Sequence, residues 1–173
     1  MLGEALRQTL KNVWRRLDFD IERQTQSNWC WAACTASVSR FYDPDSAWTQ
    51  CRLADAELQQ SGCCHDGAAA GCNQPWYLDR ALARTGNFVR WQPSQLAAAE
   101  VEAEIDAGRL VAARVAWQGG GGHFVVIGGC KPPPDEQLEI HDPFWGSRRI
   151  AREELAAVYQ GNGSWVESFF TAL

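Results

Sequence analysis

The chain of 173 residues contains no apolar run approaching the roughly 18 residues that a membrane-spanning helix needs. It also lacks a basic stripe. Sixteen lysines and arginines against 21 acidic residues leave a net charge of −5 and a pI near 5.2, which argues against a nucleic-acid surface. The first residues lack the apolar centre of a secretory signal, so no export address is read there. There is no internal repeat and nothing long enough to be a linker. Histidines number only three, which narrows the choice of a general base to a small problem.

What is present describes a globular protein. Hydrophobic residues make up 46% and charged ones 21%, and a chain of this length buries roughly 70% of its unfolded surface. One domain, or two lobes sharing an interface, is the expectation. Nine tryptophans supply core and cleft walls. With Cys30 set aside as a nucleophile, Cys34, Cys51, Cys63, Cys64, Cys72 and Cys130 remain. Six thiols suit up to three disulfides, and hence an oxidising compartment, although a cytosolic protein could show the same count. The Cys63-Cys64-His65 run with Cys72 superficially resembles a zinc site. Adjacent cysteines fit poorly with the Cys-x2-Cys knuckle that zinc prefers, so disulfides are the better reading. No cofactor or metal is called for.

Leu2, Leu6, Leu10, Val13, Trp14 and Leu17 fall at helical spacing, predicting an amphipathic helix over 1–20 ahead of a main domain over 21–173. A second helix is expected from a cap at Ser27 or Asn28 to about residue 42, where Asp43-Pro44 stops it. Residues 43–75 read as loop; helices follow at 76–85 and 94–108. From residue 110 the pattern changes to short β-rich runs at 110–117, 123–130, 138–142 and 165–170, with a short helix over 152–159. The fold class is therefore α+β, a helical lobe over about 21–108 and an antiparallel β lobe over about 109–173.

Four residues point to chemistry. Cys30 is read as lying two or three positions inside a helix N-terminus, where unpaired N–H groups and the positive end of the helix dipole favour thiolate over thiol. Cys34, one turn on, is read as core or as a disulfide partner for the 51–72 loop. His123 opens an apolar strand after four glycines, which let the backbone approach a cleft closely. His65 suits a surface loop, and the side chain of His141 should point away from the side Asp142 faces. Asp142 is placed to orient the His123 ring, with Trp145 nearby to shield that bond. Gln24 or Gln26 offers a side-chain amide for an oxyanion, and spacing alone does not choose between them.

At these residues the chain resembles a papain-like cysteine peptidase, closest to the bacterial branch that includes plant-pathogen effector proteases. The resemblance rests on Gln24, the Trp29-Cys30-Trp31-Ala32-Ala33-Cys34 segment, Gly121-Gly122-His123-Phe124-Val125-Val126 and Asp142-Pro143. It implies a cleft between the lobes, and it selects Gln24, six residues before the cysteine, over Gln26. It also implies acyl transfer: Cys30 attacks, His123 moves protons, Asp142 orients, and Gln24 with the Cys30 N–H holds the oxyanion. Two departures concern subsite shape more than reaction: aspartate stands where plant and lysosomal members have asparagine, and Trp145 lies three positions after it, not two. The expected partner is a protein or peptide substrate, with an accessory or inhibitor protein at the N-terminal helix. Secretion or delivery is favoured over a cytoplasmic site. Glutamine deamidation or transamidation, and a non-catalytic binding module, are the alternatives.

Overall fold

The computed structural model describes residues 13–173. Residues 1–12 lie outside it, and with them most of the helix expected over 1–20 and its accessory partner. The part of that segment that is described is not helical. It runs extended, with a two-residue strand β1 (Arg15–Arg16) pairing Cys130 and Gly129. Leu17 continues the contact by donating its N–H to Gly128 O at 2.8 Å. The edge that β4 exposes beyond β3 offers unpaired backbone groups, and satisfying them outweighs the helical spacing of the leucines.

After β1, the described residues form three helices in turn: α1 (Cys30–Tyr42), α2 (Gln50–Leu58) and α3 (Leu78–Arg84). Then come β2 (Phe88–Gln92), α4 (Ala98–Asp106), β3 (Val111–Trp117), β4 (Gly122–Lys131), β5 (Gln137–Asp142), β6 (Gly146–Ala151), α5 (Arg152–Ala157) and β7 (Gly163–Thr171). The strands form one antiparallel sheet in the order β2-β7-β3-β4-β5-β6, with β1 alongside β4. Short connections pair β3 with β4, β4 with β5 and β5 with β6, and apolar runs covered on both faces explain β3 and β4. Val111, Ala113 and Val115 face one way with Val125 and Ile127, while Ala112 and Val126 face the other.

The two faces bury separate clusters. One packs α1 and its neighbours against Ala112, Val126 and Phe169; the other packs α4 and α5 against Val111, Val125, Ile140 and Trp165. The division expected near residue 108 is therefore less clean. β2 lies inside the supposed helical half yet pairs with β7 at the sheet edge, and α4 covers the far face of the sheet.

Residues 43–75 hold more order than expected. Thr49 caps α2, its side chain accepting from Arg52 N, and Leu53 and Ala54 are fully buried. Disulfides join Cys51, within α2, to Cys64, and Cys63 to Cys72. Two bridges form where up to three were expected. Cys34 and Cys130 are buried free thiols, and Cys34 donates to Phe124 O at 3.5 Å.

Candidate active site

Cys30 is the first residue of α1 rather than two or three positions inside it. Neither Ser27 nor Asn28 caps the helix. Both are drawn sideways to Asn73: Asn28 donates through its backbone N–H and its side chain, and Asn73 donates to Ser27 Oγ. The N-cap position falls to Trp29, which makes no capping side-chain bond, and the first turn carries no acidic residue. The positive end of α1 thus meets the cleft uncompensated, in a position that favours negative charge.

The tryptophans flanking Cys30 are fasteners. Trp29 Nε1 donates to Cys72 O at 2.7 Å and Trp31 Nε1 to Gln74 O at 3.0 Å, both rings buried. The Cys63–Cys72 disulfide ties the same loop. An indole both fills volume and satisfies its N–H, so each bond anchors the helix start without leaving a polar group stranded.

His123 reaches the site from the tight turn between β3 and β4. Gly120 and Gly121 have φ of 95° and 80°, left-handed values that other residues adopt at a cost. The ring is 7% exposed and lies between Trp117, stacked at 6.1 Å, and Trp145, edge-on at 5.4 Å. Its Nε2 pairs with Asp142 Oδ1 at 2.9 Å, and Cys30 lines the same hollow as the ring. Burial works against the imidazolium. The hydrogen bonds to Asp142 and Cys30, with their charges, prevail and push His123 up to about 9.

Asp142 ends β5 fully buried. Burial alone would raise its carboxyl, but His123, the Tyr159 hydroxyl and the Trp145 N–H hold it below the usual carboxylate range. Register explains the meeting. Val126 pairs with His141 and Ile127 with Ile140, so Asp142 and His123 lie at the same end of adjacent strands.

Gln24 lines the same pocket as Cys30 and His123. Its Nε2 donates to Gln26 O and Ser27 O, each at 2.9 Å, and its buried Oε1 has no partner. Its backbone N–H donates to Pro143 O at 2.9 Å, joining the segment before α1 to the turn after Asp142.

The other candidates stand apart. His65 is exposed in its loop. His141 points to the opposite face, buried edge-on to Phe19 and bonded through Nδ1 to Ser147 Oγ at 2.9 Å. Burial pushes its ring pKa down. Burial also pushes the Cys34 thiol up, with Cys30 and Asp142 adding to the effect. Asp55, Cys63 and Cys72 cluster closely enough to suggest a metal, but the two sulfurs are joined to each other.

A family model described as papain-like cysteine protease AvrRpt2 matches residues 12–160. The chain belongs to that family. It is a cysteine peptidase with a papain-like fold. No curated protein matches it. Among solved structures, a double glycine motif protease from an AMS/PCAT transporter, in complex with a leader peptide, is similar with a TM-score of 0.52. It is 17% identical, and the match covers 91% of this chain and 94% of that one. The Pseudomonas avirulence protein AvrPphB matches at a TM-score of 0.43 with 13% identity, covering 90% and 98%.

In this peptidase the cleft extends to both sides of Cys30. On one side a cavity of about 650 Å³ is walled by Trp31, Leu78, Phe124 and Phe169, with the Arg114–Glu167 ion pair at its rim. On the other a smaller hollow of about 270 Å³ lies under Trp117, Phe144 and Trp145. Sequence reasoning did not find Arg114, Glu167 or Tyr159, because none belongs to a motif and each reaches the site through strand pairing or a turn.

Proposed function

We propose that the chain is an endopeptidase that hydrolyses peptide bonds through a Cys30 thiolate, His123 and Asp142, with Gln24 and the Cys30 N–H as oxyanion donors. The observation that carries this reading is the buried His123–Asp142 pair, opening on the hollow that Cys30 and Gln24 also line. The imidazole's Nε2 is committed to the carboxylate, which leaves Nδ1 for the sulfur. An imidazolium persisting to about pH 9 supplies a proton donor for the leaving amine across the neutral range.

The thiolate attacks the scissile carbonyl carbon, and the carbonyl oxygen becomes an oxyanion beside the start of α1. The Cys30 N–H is one of the donors that a helix start leaves unpaired. Gln24 contributes by exchanging one loop carbonyl bond for the oxyanion. His123 gives its Nδ1 proton to the leaving amine, and the C–N bond breaks to leave a thioester on Cys30. The neutral imidazole then takes a proton from water, which attacks the thioester and releases the carboxylic acid and the thiolate. Asp142 keeps the ring oriented throughout and stays ionised.

The substrate is a protein or peptide segment laid extended along the cleft, its side chains filling the hollows on either side of Cys30. Two disulfides favour an oxidising environment, and so secretion or delivery, over a cytoplasmic site. Among the described residues no helix is long and apolar enough to cross a membrane.

A peptide chloromethyl ketone tests the reading. It should alkylate Cys30 alone at neutral pH, and His123→Ala should abolish the labelling. Cys30→Ala should cut peptide turnover at least 1000-fold in a folded protein. Labelling indifferent to His123 would favour a binding module, and ammonia release without new peptide termini would favour deamidation.

A further inference from the structure

Four donors converge on Asp142. Oδ1 receives His123 Nε2 at 2.9 Å, the Phe144 N–H at 2.7 Å and the Trp145 N–H at 2.9 Å. Oδ2 receives the hydroxyl of Tyr159 at 2.6 Å. Tyr159 is 0% exposed and lines neither side of the cleft. Its backbone is pinned by exchange with Gly163, N–H to O at 2.8 Å in both directions. Its ring meets Trp145 edge-on at 6.4 Å, and the Arg148 guanidinium lies 5.3 Å over it.

We propose that Tyr159 is a positioning residue for proteolysis, its hydroxyl holding Asp142 Oδ2 so that Oδ1 meets His123, and that this bond is why position 142 is aspartate and not asparagine. The inference rests on the peptidase reading. A carboxylate accepts at both oxygens and satisfies all four donors. An amide cannot. With its NH2 group toward His123 it would face the Phe144 and Trp145 N–H groups donor to donor. With the NH2 group turned away it would face the Tyr159 hydroxyl, whose proton would then lose its buried acceptor. Burial first, and the Asp142 charge next, push the phenol pKa up, so the hydroxyl stays a donor wherever the enzyme works.

The groups facing the pair are Cys30 and Cys34 from α1, Tyr159 and Gln160 beyond α5, and Arg148 from β6. The Tyr159 bond is strongest when His123 is neutral, because the carboxylate then has no cation to offset it. Removing the bond therefore favours the imidazolium.

The experiment follows the His123 ring by ¹⁵N NMR against pH in the full chain and in Tyr159→Phe, alongside kinetics. His123 should titrate about one unit higher in the variant, a roughly tenfold gain in proton affinity. kcat should fall about tenfold while KM stays within twofold, because Tyr159 touches no substrate. In an Asp142→Asn background the same substitution should change kcat less than twofold, since the route through the carboxylate is already gone. An unmoved His123 titration, or equal losses in both backgrounds, would overturn the proposal. If Tyr159→Phe does not fold, replacing all tyrosines by 3-fluorotyrosine keeps the ring and strengthens the donor. His123 should then titrate lower, and no movement would again overturn it. The NMR readout needs no turnover, so the two readings fail separately. Turnover that survives Cys30→Ala sinks the peptidase assignment, whereas Cys30-dependent turnover with a fixed titration sinks the role of Tyr159.

Discussion

Raising the pH should weaken this fold through one side chain. His123 stands at about 9 in the folded chain against an ordinary 6.5. Between those values the folded protein holds a proton that the unfolded chain has released, so stability falls as pH rises. The contribution is fully present below pH 6.5 and gone above about 9. A rise of this size corresponds to about 3 kcal/mol, with a steepest slope near 1.4 kcal/mol per pH unit. That is a large share of the 5–15 kcal/mol typical of a domain. Urea unfolding of the disulfide-intact protein at pH 6, 7.5 and 9, beside His123→Gln, isolates the effect. The parent should lose its advantage over the variant progressively across that interval. In the proposed mechanism kcat/KM should decline through the same upper value, because the imidazolium is the proton donor to the leaving amine. A stability difference that stays flat from pH 6 to 9, or grows with pH, would refute the pairing of His123 with Asp142 and Cys30.

Two further outcomes are expected. Gln24→Ala should lower kcat by roughly 100-fold with KM little changed, the loss of one oxyanion donor; a change below twofold would assign the oxyanion to backbone N–H groups alone. Gly128→Ala should destabilise the fold by about 1–3 kcal/mol, because the added carbon would lie 2.7 Å from His141 Nε2 and 2.9 Å from its Cδ2. In calorimetry the melting temperature should drop by about 2–4 °C per kcal/mol, while turnover of the folded enzyme is kept; an unchanged melting temperature would show that His141 gives way freely.

The parts of the chain that could be read ahead of the structure share a physical trait: their local pattern matches their surroundings. α1 is legible because nine of its residues are buried and Asp43-Pro44 ends it. β3 and β4 are legible because both faces of the sheet are covered, giving near-continuous apolar runs. α2 was missed for the opposite reason. Its buried set, Gln50, Leu53, Ala54 and Glu57, is half polar. Gln50 supports residues 23–25 through backbone bonds, and Glu57 accepts from Trp76 and Arg84. Such a face shows no apolar stripe. The edge strands were missed because most of their side chains face solvent, with only Phe88 and Ile150 packing inward. β2 is exposed at Val89 and Trp91, and β6 carries Arg148 and Arg149 outward, so neither alternates in the expected way. The candidate site residues were proposed as a set through the family resemblance. Spacing alone left Gln24 and Gln26 undecided, and Tyr159 left no trace in sequence because a turn brings it to Asp142.

The same contrast separates the fixed from the adjustable parts of the proposed catalytic machinery. His123 and Asp142 sit on β4 and β5, which pair directly, so their separation is a consequence of register. A slip of one residue would turn Asp142 to the face now occupied by His141 and Phe19. Cys30 is held by a helix start whose neighbours, Trp29 and Trp31, are each bonded to the 72–74 loop. Gln24 alone comes from an irregular segment, and its amide is bound to carbonyls of its own loop. Its one tie to the β side is the backbone bond to Pro143 O, next to Asp142. That bond sets the oxyanion donor's loop and the carboxylate's turn in a common frame while leaving the Gln24 side chain free to trade partners. In the proposed mechanism preorganisation thus resides in the nucleophile, base and orienting acid. The proposed oxyanion site would be completed when charge develops there, an interaction made in the transition state, where it would accelerate the reaction.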